Sequence, residues 1–205
     1  GELMGEISIG SGELKSSRFL SQVVAAFHEK HPLVQFEIFS GDSDNIKERM
    51  ERGLLDLGIL LEPVDISKYE FIQIPVKEEW GVLVPDDSPL AEKESVRPED
   101  LVSYPLLFGQ REMVHQRIRN WFGSCSDKMK LVASGNLQYN MAAMVSGKVG
   151  VAVTIRLDCR YDGIRFVPLA PRLESRTVLV WKKVQPFSPA ATAFIDFFRD
   201  YVEKE

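Results

Sequence analysis

The sequence predicts an α/β fold built from two similar units, and three observations carry that expectation. Between Ile7 and Leu61, extended apolar stretches alternate with helical ones in the order strand, helix, strand, helix, strand. That order calls for a parallel sheet, because parallel strands need long crossovers and helices are the usual ones. Gly53 to Pro63, GLLDLGILLEP, closes a helix with a glycine and continues as a short unbroken apolar run, which suits a strand covered on both faces. The succession of strand, glycine-bearing loop and helix returns between Leu106 and Ile155, so the second half is a similar unit and not a tandem copy.

Taken in order, Ile7 and Ile9 flank Ser8 as a first strand that ends in the permissive loop Gly10-Ser11-Gly12. Ser16 or Ser17 is placed to cap the next helix, with Phe19, Leu20, Val23, Val24 and Phe27 on one face. Pro32 ends it, and Val34, Phe36 and Ile38 alternate with Gln35 and Glu37 as a second strand. Gly41-Asp42-Ser43-Asp44 supplies the capping loop of a helix with apolar positions Ile46, Met50 and Leu54; Gly53 stops it, and Leu57 to Leu61 forms the third strand. Phe71 to Val76 and Trp80 to Pro85 read as two extended pieces divided by Lys77-Glu78-Glu79, with a loop spaced by Pro85, Pro89 and Pro98.

The second unit opens with a strand at Leu106 to Phe108, the exit loop Gly109-Gln110-Arg111, and a helix face of Val114, Ile118, Trp121 and Phe122. Lys130 to Ala133 is a strand, Ser134-Gly135-Asn136 a loop, and Leu137, Met141, Met144 and Val145 line a helix stopped by Gly147. Strands over Val149 to Ile155, Ile164 to Val167 and Thr177 to Trp181 lead to a last helix started by Ser188-Pro189. Its buried side carries Phe194, Ile195, Phe198, Tyr201 and Val202.

With 205 residues and 44% hydrophobic content, the chain has core enough for one large domain or two small ones. A net charge of -5 argues against this segment gripping nucleic acid, which takes a basic face to neutralise phosphates. No apolar run approaches the ~20 residues that span a bilayer, and no charged-then-apolar signal segment opens the chain, so it reads as soluble. Gly1-Glu2-Leu3-Met4 carries no initiator at its head, which reads as a piece of a longer chain or a processed product. Cys125 and Cys159 are too few for a disulfide scaffold and fit a reducing compartment. A redox pair would need their Cα atoms within ~7 Å.

These residues resemble the effector-binding (substrate-binding) domain of LysR-type transcriptional regulators, whose fold is that of type 2 periplasmic binding proteins. The resemblance begins with Gly5-Glu6-Ile7-Ser8-Ile9-Gly10, continues through Phe27 and His31-Pro32, and is sharpest at Gly53-Leu54-Leu55-Asp56-Leu57-Gly58-Ile59. It resumes at Val82-Leu83-Val84-Pro85, Ser88-Pro89-Leu90-Ala91, Pro98-Glu99-Asp100-Leu101 and Val145-Ser146-Gly147-Lys148-Val149-Gly150-Val151. Their order and spacing together form a multi-part fingerprint. One departure is Val153-Thr154-Ile155-Arg156, where the family's strand usually ends in a proline.

The resemblance implies two Rossmann-like α/β lobes joined by two crossover segments, with a ligand cleft between them. Lobe I would hold residues 1–75 and 184–205 and lobe II residues 76–183. The family's DNA-binding helix-turn-helix would precede Gly1. Trp80 and Trp181 would pack on the crossovers. The family pattern also implies a dimer in which the first helix and the Val34 to Phe39 strand meet a neighbour's second lobe, with Val24, Phe36 and Phe39 as interface candidates or ordinary core residues.

Ligands of open α/β sheets sit beyond the carboxyl ends of the strands, at helix N-termini. Ser11 to Ser17, Gly41 to Asp44, Gly109 to Glu112 and Ser134 to Asn136 are such loops. The expected effector-binding residues are Ser11, Gly12, Lys15, Ser16, Ser43, Gln110, Arg111, Ser134, Gly135, Asn136 and Thr154, with Arg156 as a further source of charge. Backbone donors and hydroxyls of this kind suit a small carboxylate or phosphate; each serine also reads as a helix cap and each arginine as a solvated side chain.

No catalytic residue, metal site or cofactor is expected. His28 and His31 lack a cysteine or carboxylate at zinc spacing and read as structural or surface residues, and His115 is placed on the exposed side of its helix. No Gly-x-Ser-x-Gly elbow or Walker loop is present. Asp56, alone in apolar company, reads as a residue that accepts hydrogen bonds from backbone at the helix-to-strand turn, with general base as the other reading.

The function implied is a cytoplasmic ligand sensor acting through a homodimer or tetramer on DNA-binding domains outside this chain, with no membrane partner. The alternatives are an exported periplasmic solute-binding protein of the same fold and an enzyme on that fold.

Overall fold

A computed structural model describes residues 2–205. In chain order the first elements are β1 (Gly5–Ser11), α1 (Ser16–Lys30), β2 (Val34–Ser40), α2 (Ser43–Glu51), β3 (Leu57–Leu61) and β4 (Tyr69–Pro85). After a 3-10 turn at Pro89–Glu92 come α3 (Pro98–Leu101), β5 (Pro105–Gly109), α4 (Glu112–Phe122), β6 (Lys130–Gly135) and α5 (Gln138–Ser146). The chain closes with β7 (Val151–Ile155), β8 (Ile164–Pro168), β9 (Glu174–Lys182) and α6 (Pro189–Glu203). It divides into two units, one of residues 1–77 with Arg176–Glu205 and the other Glu78–Ser175. The chain leaves the first unit along β4 and returns along β9.

In unit 1, β1 pairs in parallel with β2 on one side and β3 on the other, and β3 pairs antiparallel with β9. Ile7, Ile9, Leu57 and Ile59 are buried in these central strands. The helix α2 lies so close to the sheet that a Cβ on Gly58 would stand 2.7 Å from the Ile46 side chain, and one on Gly10 would stand 2.8 Å from it. Both positions therefore need glycine. Asp42 caps α2 by accepting from the Asn45 N–H, and Asn45 returns the bond to the Asp42 N–H, each at 2.9 Å. Gly53, at φ 72°, turns the chain out of α2.

The other face of unit 1 is aromatic. Phe27 of α1 meets Phe194 of α6 edge-on at 5.2 Å and Phe36 of β2 at 6.0 Å, while Phe19 meets Phe198 at 5.7 Å. Edge-to-face pairs of this kind add to what area burial alone contributes. This contact explains why the terminal helix belongs with the first sixty residues despite their distance in sequence.

In unit 2, β5 pairs in parallel with β6 and β7, while β4 pairs antiparallel with β7 and β8. Leu83, Leu107, Met141, Ala142, Val145 and Ala152 form one core cluster between sheet and α5.

Several expectations are corrected. The two pieces around Lys77-Glu78-Glu79 are one strand, β4. Alternating side chains let the acidic pair be accommodated, with Glu78 buried and Glu79 bound to Arg156 at 3.0 Å and Arg172 at 3.7 Å. The return to unit 1 falls at Arg176 and not at residue 184, because Thr177 to Val180 already pair with Leu61 to Gly58. Leu54 is 46% exposed and Leu55 fills the core in its place. Trp121 is only half-buried on α4, where its indole N–H reaches the Pro171 carbonyl at 2.8 Å. The strand β7 starts at Val151, after the turn at Gly147 to Gly150.

Candidate functional site

The parallel strands of each unit deliver the chain to helix N-termini, where backbone N–H groups lack intrahelical partners and the peptide dipoles present their positive end. In unit 1 these junctions are residues 12–15, between β1 and α1, and Gly41 with Asp42, between β2 and α2. In unit 2 they are Gln110 with Arg111, before α4, and Asn136 with Leu137, before α5.

The first loop expected in unit 1 is partly strand. Ser11 ends β1, is 4% exposed, and donates its hydroxyl to the Gly12 carbonyl at 3.0 Å. A Cβ on Gly12 would lie 3.2 Å from the Gly41 carbonyl, so the two junctions are neighbours. The expectation that Ser16 or Ser17 caps α1 does not hold. The cap position is Lys15, which makes no side-chain cap bond and is exposed. Ser17 instead ties the loop, accepting from the Leu14 N–H at 3.4 Å and donating to the Gly12 carbonyl at 3.2 Å. Ser16 is fully buried with its hydroxyl 2.6 Å from that of Thr177 in β9. Ser43 is also buried, accepting from the Leu61 N–H at 2.9 Å and donating to its carbonyl at 3.3 Å. It fastens the start of α2 to the end of β3.

In unit 2, Gln110 is exposed and Arg111, at the cap position of α4, is 4% exposed. Ser134 and Gly135 end β6 and are not loop residues; Ser134 and Asn136 are exposed. Thr154, on β7, is buried and accepts from the side-chain amide of Gln138 at 3.0 Å. Arg156 follows the strand, bound to Glu79 and stacked 4.4 Å from the centre of the Phe166 ring.

The polar residues that sequence reasoning missed are Gln138, Tyr161 and Thr177. Gln138 opens α5, where a glutamine ordinarily reads as solvated, yet it is 5% exposed. Tyr161 reaches it from the loop after β7, donating to its side-chain oxygen at 2.9 Å. Thr177 lies in β9 with no exposed surface; a hydroxyl in an alternating strand was the one signal that pointed inward. The loop after β7, together with Asp86, Lys93 and Glu94, borders an open cavity of about 1140 Å³ within unit 2, whose lining also includes Phe166 and Arg165.

Asp56 fixes structure across the sheet and not only at its own turn. Its carboxylate accepts from the Ser8 N–H at 2.9 Å and the Ser8 hydroxyl at 3.2 Å, while its own N–H donates to the Ser8 carbonyl at 2.9 Å. His115 is half-buried, not exposed. Its ring nitrogen bonds the Gly109 carbonyl and its edge meets Phe108. Among the described residues no group of three or more His, Cys, Asp or Glu is arranged to hold a metal ion. Cys125 and Cys159 are free thiols. Of the interface candidates, Val24 is half-buried on α1, Phe36 packs on Phe27 and Phe194, and Phe39 lies under the Arg49 guanidinium at 4.2 Å.

Solved structures share this architecture. The effector binding domain of QuiR in complex with shikimate matches with a TM-score of 0.85 over 99% of both chains, at 22% identity. The regulatory domain of Synechocystis PCC6803 CcmR in complex with 2-PG matches with a TM-score of 0.79 over 98% of both, at 14% identity. At such identities the likeness establishes the fold, the periplasmic-binding-protein-like fold of LysR effector-binding domains.

The sequence then specifies the family. Residues 1–203 match the LysR substrate binding domain, and the chain belongs to that family. Relatives include the uncharacterized HTH-type transcriptional regulators YwbI of Bacillus subtilis, 24% identical over 97% of this chain, and YfeR of Shigella flexneri, 23% identical over 97%. The chain spans 67% of the first and 66% of the second. Among the described residues no helix is long and apolar enough to cross a membrane.

Proposed function

We propose that this chain is the ligand-sensing domain of a cytoplasmic LysR-type transcription regulator. It takes a small anionic effector at the strand-end loops that open its helices and transmits the occupancy through a homodimer or tetramer to a helix-turn-helix preceding Gly1. The observation that carries this reading is the family match along residues 1–203. The ligand class is supported by the helix N-termini and hydroxyls beyond the carboxyl ends of β1, β2, β5 and β6, since such termini favour anions. It is further supported by two structural neighbours that hold shikimate, a hydroxylated carboxylate, and 2-PG. Ser11, Arg111, Ser134 and Thr154 are the side chains assigned to contact it, with the backbone at Gly12 and Gly135. The family and the relatives being transcriptional regulators, binding and not turnover is the output.

A thermal-shift screen of small acids, with shikimate among them, tests the reading. An acid present at a hundred times its dissociation constant raises stability by about 2.7 kcal/mol. A screen in which neutral sugars stabilise the domain and no acid does overturns the assignment of an anionic effector.

A further inference from the structure

Resting on the reading that an effector meets unit 2 at Thr154, we infer that Gln138 and Tyr161 set the direction of the Thr154 hydroxyl. They turn its proton away from the amide and leave it free to be donated to an acceptor such as a carboxylate or phosphate oxygen.

The direction follows from the chemistry of the neighbours. A glutamine side chain has a donor end and an acceptor end, and which is which is settled by what surrounds them. The Ile155 carbonyl, 2.6 Å from Gln138 Nε2, only accepts, so the NH₂ end must face it. The opposite end is then the oxygen, and the Tyr161 hydroxyl donates to it at 2.9 Å. The second amide hydrogen points to Thr154 Oγ1 at 3.0 Å.

An oxygen that accepts from Gln138 cannot turn its own proton back along the same line without opposing two hydrogens. The Thr154 proton is thereby directed away from the amide. An unheld threonine hydroxyl can spend its proton on the amide side as readily as elsewhere; one that accepts from the amide keeps its proton for a partner on the other side. Gln138 acts through Thr154 and is a positioning residue. The arrangement is internal to unit 2, with Thr154 on a strand and Gln138 on a helix, both buried, and Tyr161 joins it from a loop bordering the cavity.

The test is a double-mutant cycle on the domain, with binding of inorganic phosphate, sulfate and shikimate followed by calorimetry. Gln138→Leu is expected to weaken the anion bound by wild type by about tenfold, the scale of one hydrogen bond to a charged group. In a Thr154→Val background the same substitution is expected to change affinity by less than about twofold, because the hydroxyl it positions is gone. Thr154→Ser, which keeps the hydroxyl, is expected to retain most of the binding. Where Gln138→Leu does not fold, Tyr161→Phe is read in the same cycle, since it removes only the hydroxyl that holds the amide. Equal losses in both backgrounds make Gln138 merely structural and overturn the inference, as does no loss in either. If wild type binds none of the three probes, the reading of an anion site at Thr154 falls and this inference falls with it.

Discussion

Ser16 and Thr177 place two hydroxyls 2.6 Å apart with no exposed surface on either residue. Removing one leaves the other buried without this partner, a loss of about 1–3 kcal/mol, whereas removing both leaves no orphan. Urea unfolding of Ser16→Ala, Thr177→Val and the double variant is expected to give a double-variant loss smaller than the sum of the singles; simple additivity would show that the pair is not coupled. Tyr69 and Glu51 give a second residue-scale prediction. The Tyr69 hydroxyl, 2.6 Å from Glu51, holds that carboxyl below its usual range, with Lys182 adding to the effect against partial burial. Burial first and then the Glu51 bond push the Tyr69 phenol above its ordinary value. A depressed carboxyl stabilises the fold above its unfolded pKa, near 4.5, and the contribution is lost as pH falls through the folded value. A raised phenol stabilises below about 10, and that contribution is lost as pH rises beyond it. Stability measured in urea from neutral pH into the acid range should therefore decline more in wild type than in Tyr69→Phe, and equal declines would count against the contact.

At the scale of elements, the helices were legible wherever a periodic apolar face met a recognisable stop. Met50 and Gly53 fixed the end of α2, and Ser188, whose hydroxyl accepts from the Ala191 N–H at 3.1 Å, fixed the start of α6. Asp42→Ala removes a reciprocal cap of α2 and is expected to cost about 1 kcal/mol, read as a lowered denaturation midpoint with an unchanged slope. The start of α1 was misread because serines near a helix start ordinarily cap it, whereas here Ser17 bonds the preceding loop and Ser16 points into the core. The strand β4 was read as two pieces because three charged residues in succession look like a turn. The partners of Glu79, Arg156 and Arg172, come from elsewhere in the fold.

For the molecule as a whole, the regulator reading predicts self-association. Sedimentation across micromolar to millimolar concentration is expected to show a dimer or larger species, and a strict monomer throughout would count heavily against it. Exposed apolar groups at Leu33 and Ile38, beside and on the edge strand β2, give unit 1 a face able to bury surface against another copy.

The sequence by itself determined the α/β class, the alternation of elements and the family, because apolar periodicity, glycine stops and proline breaks are local consequences of backbone geometry. Those signals also located the loops at the strand ends where polar chemistry gathers. Tertiary structure alone decided which hydroxyls face inward and what each one binds. Thr177 meets Ser16 across 161 positions, Ser8 meets Asp56 across 48, and Tyr161 meets Gln138 across 23. The reason is that a polar side chain looks alike in sequence whether solvated or buried. Its role is set by the partner that removes the cost of taking it out of water, and that partner is brought near only when the chain has folded.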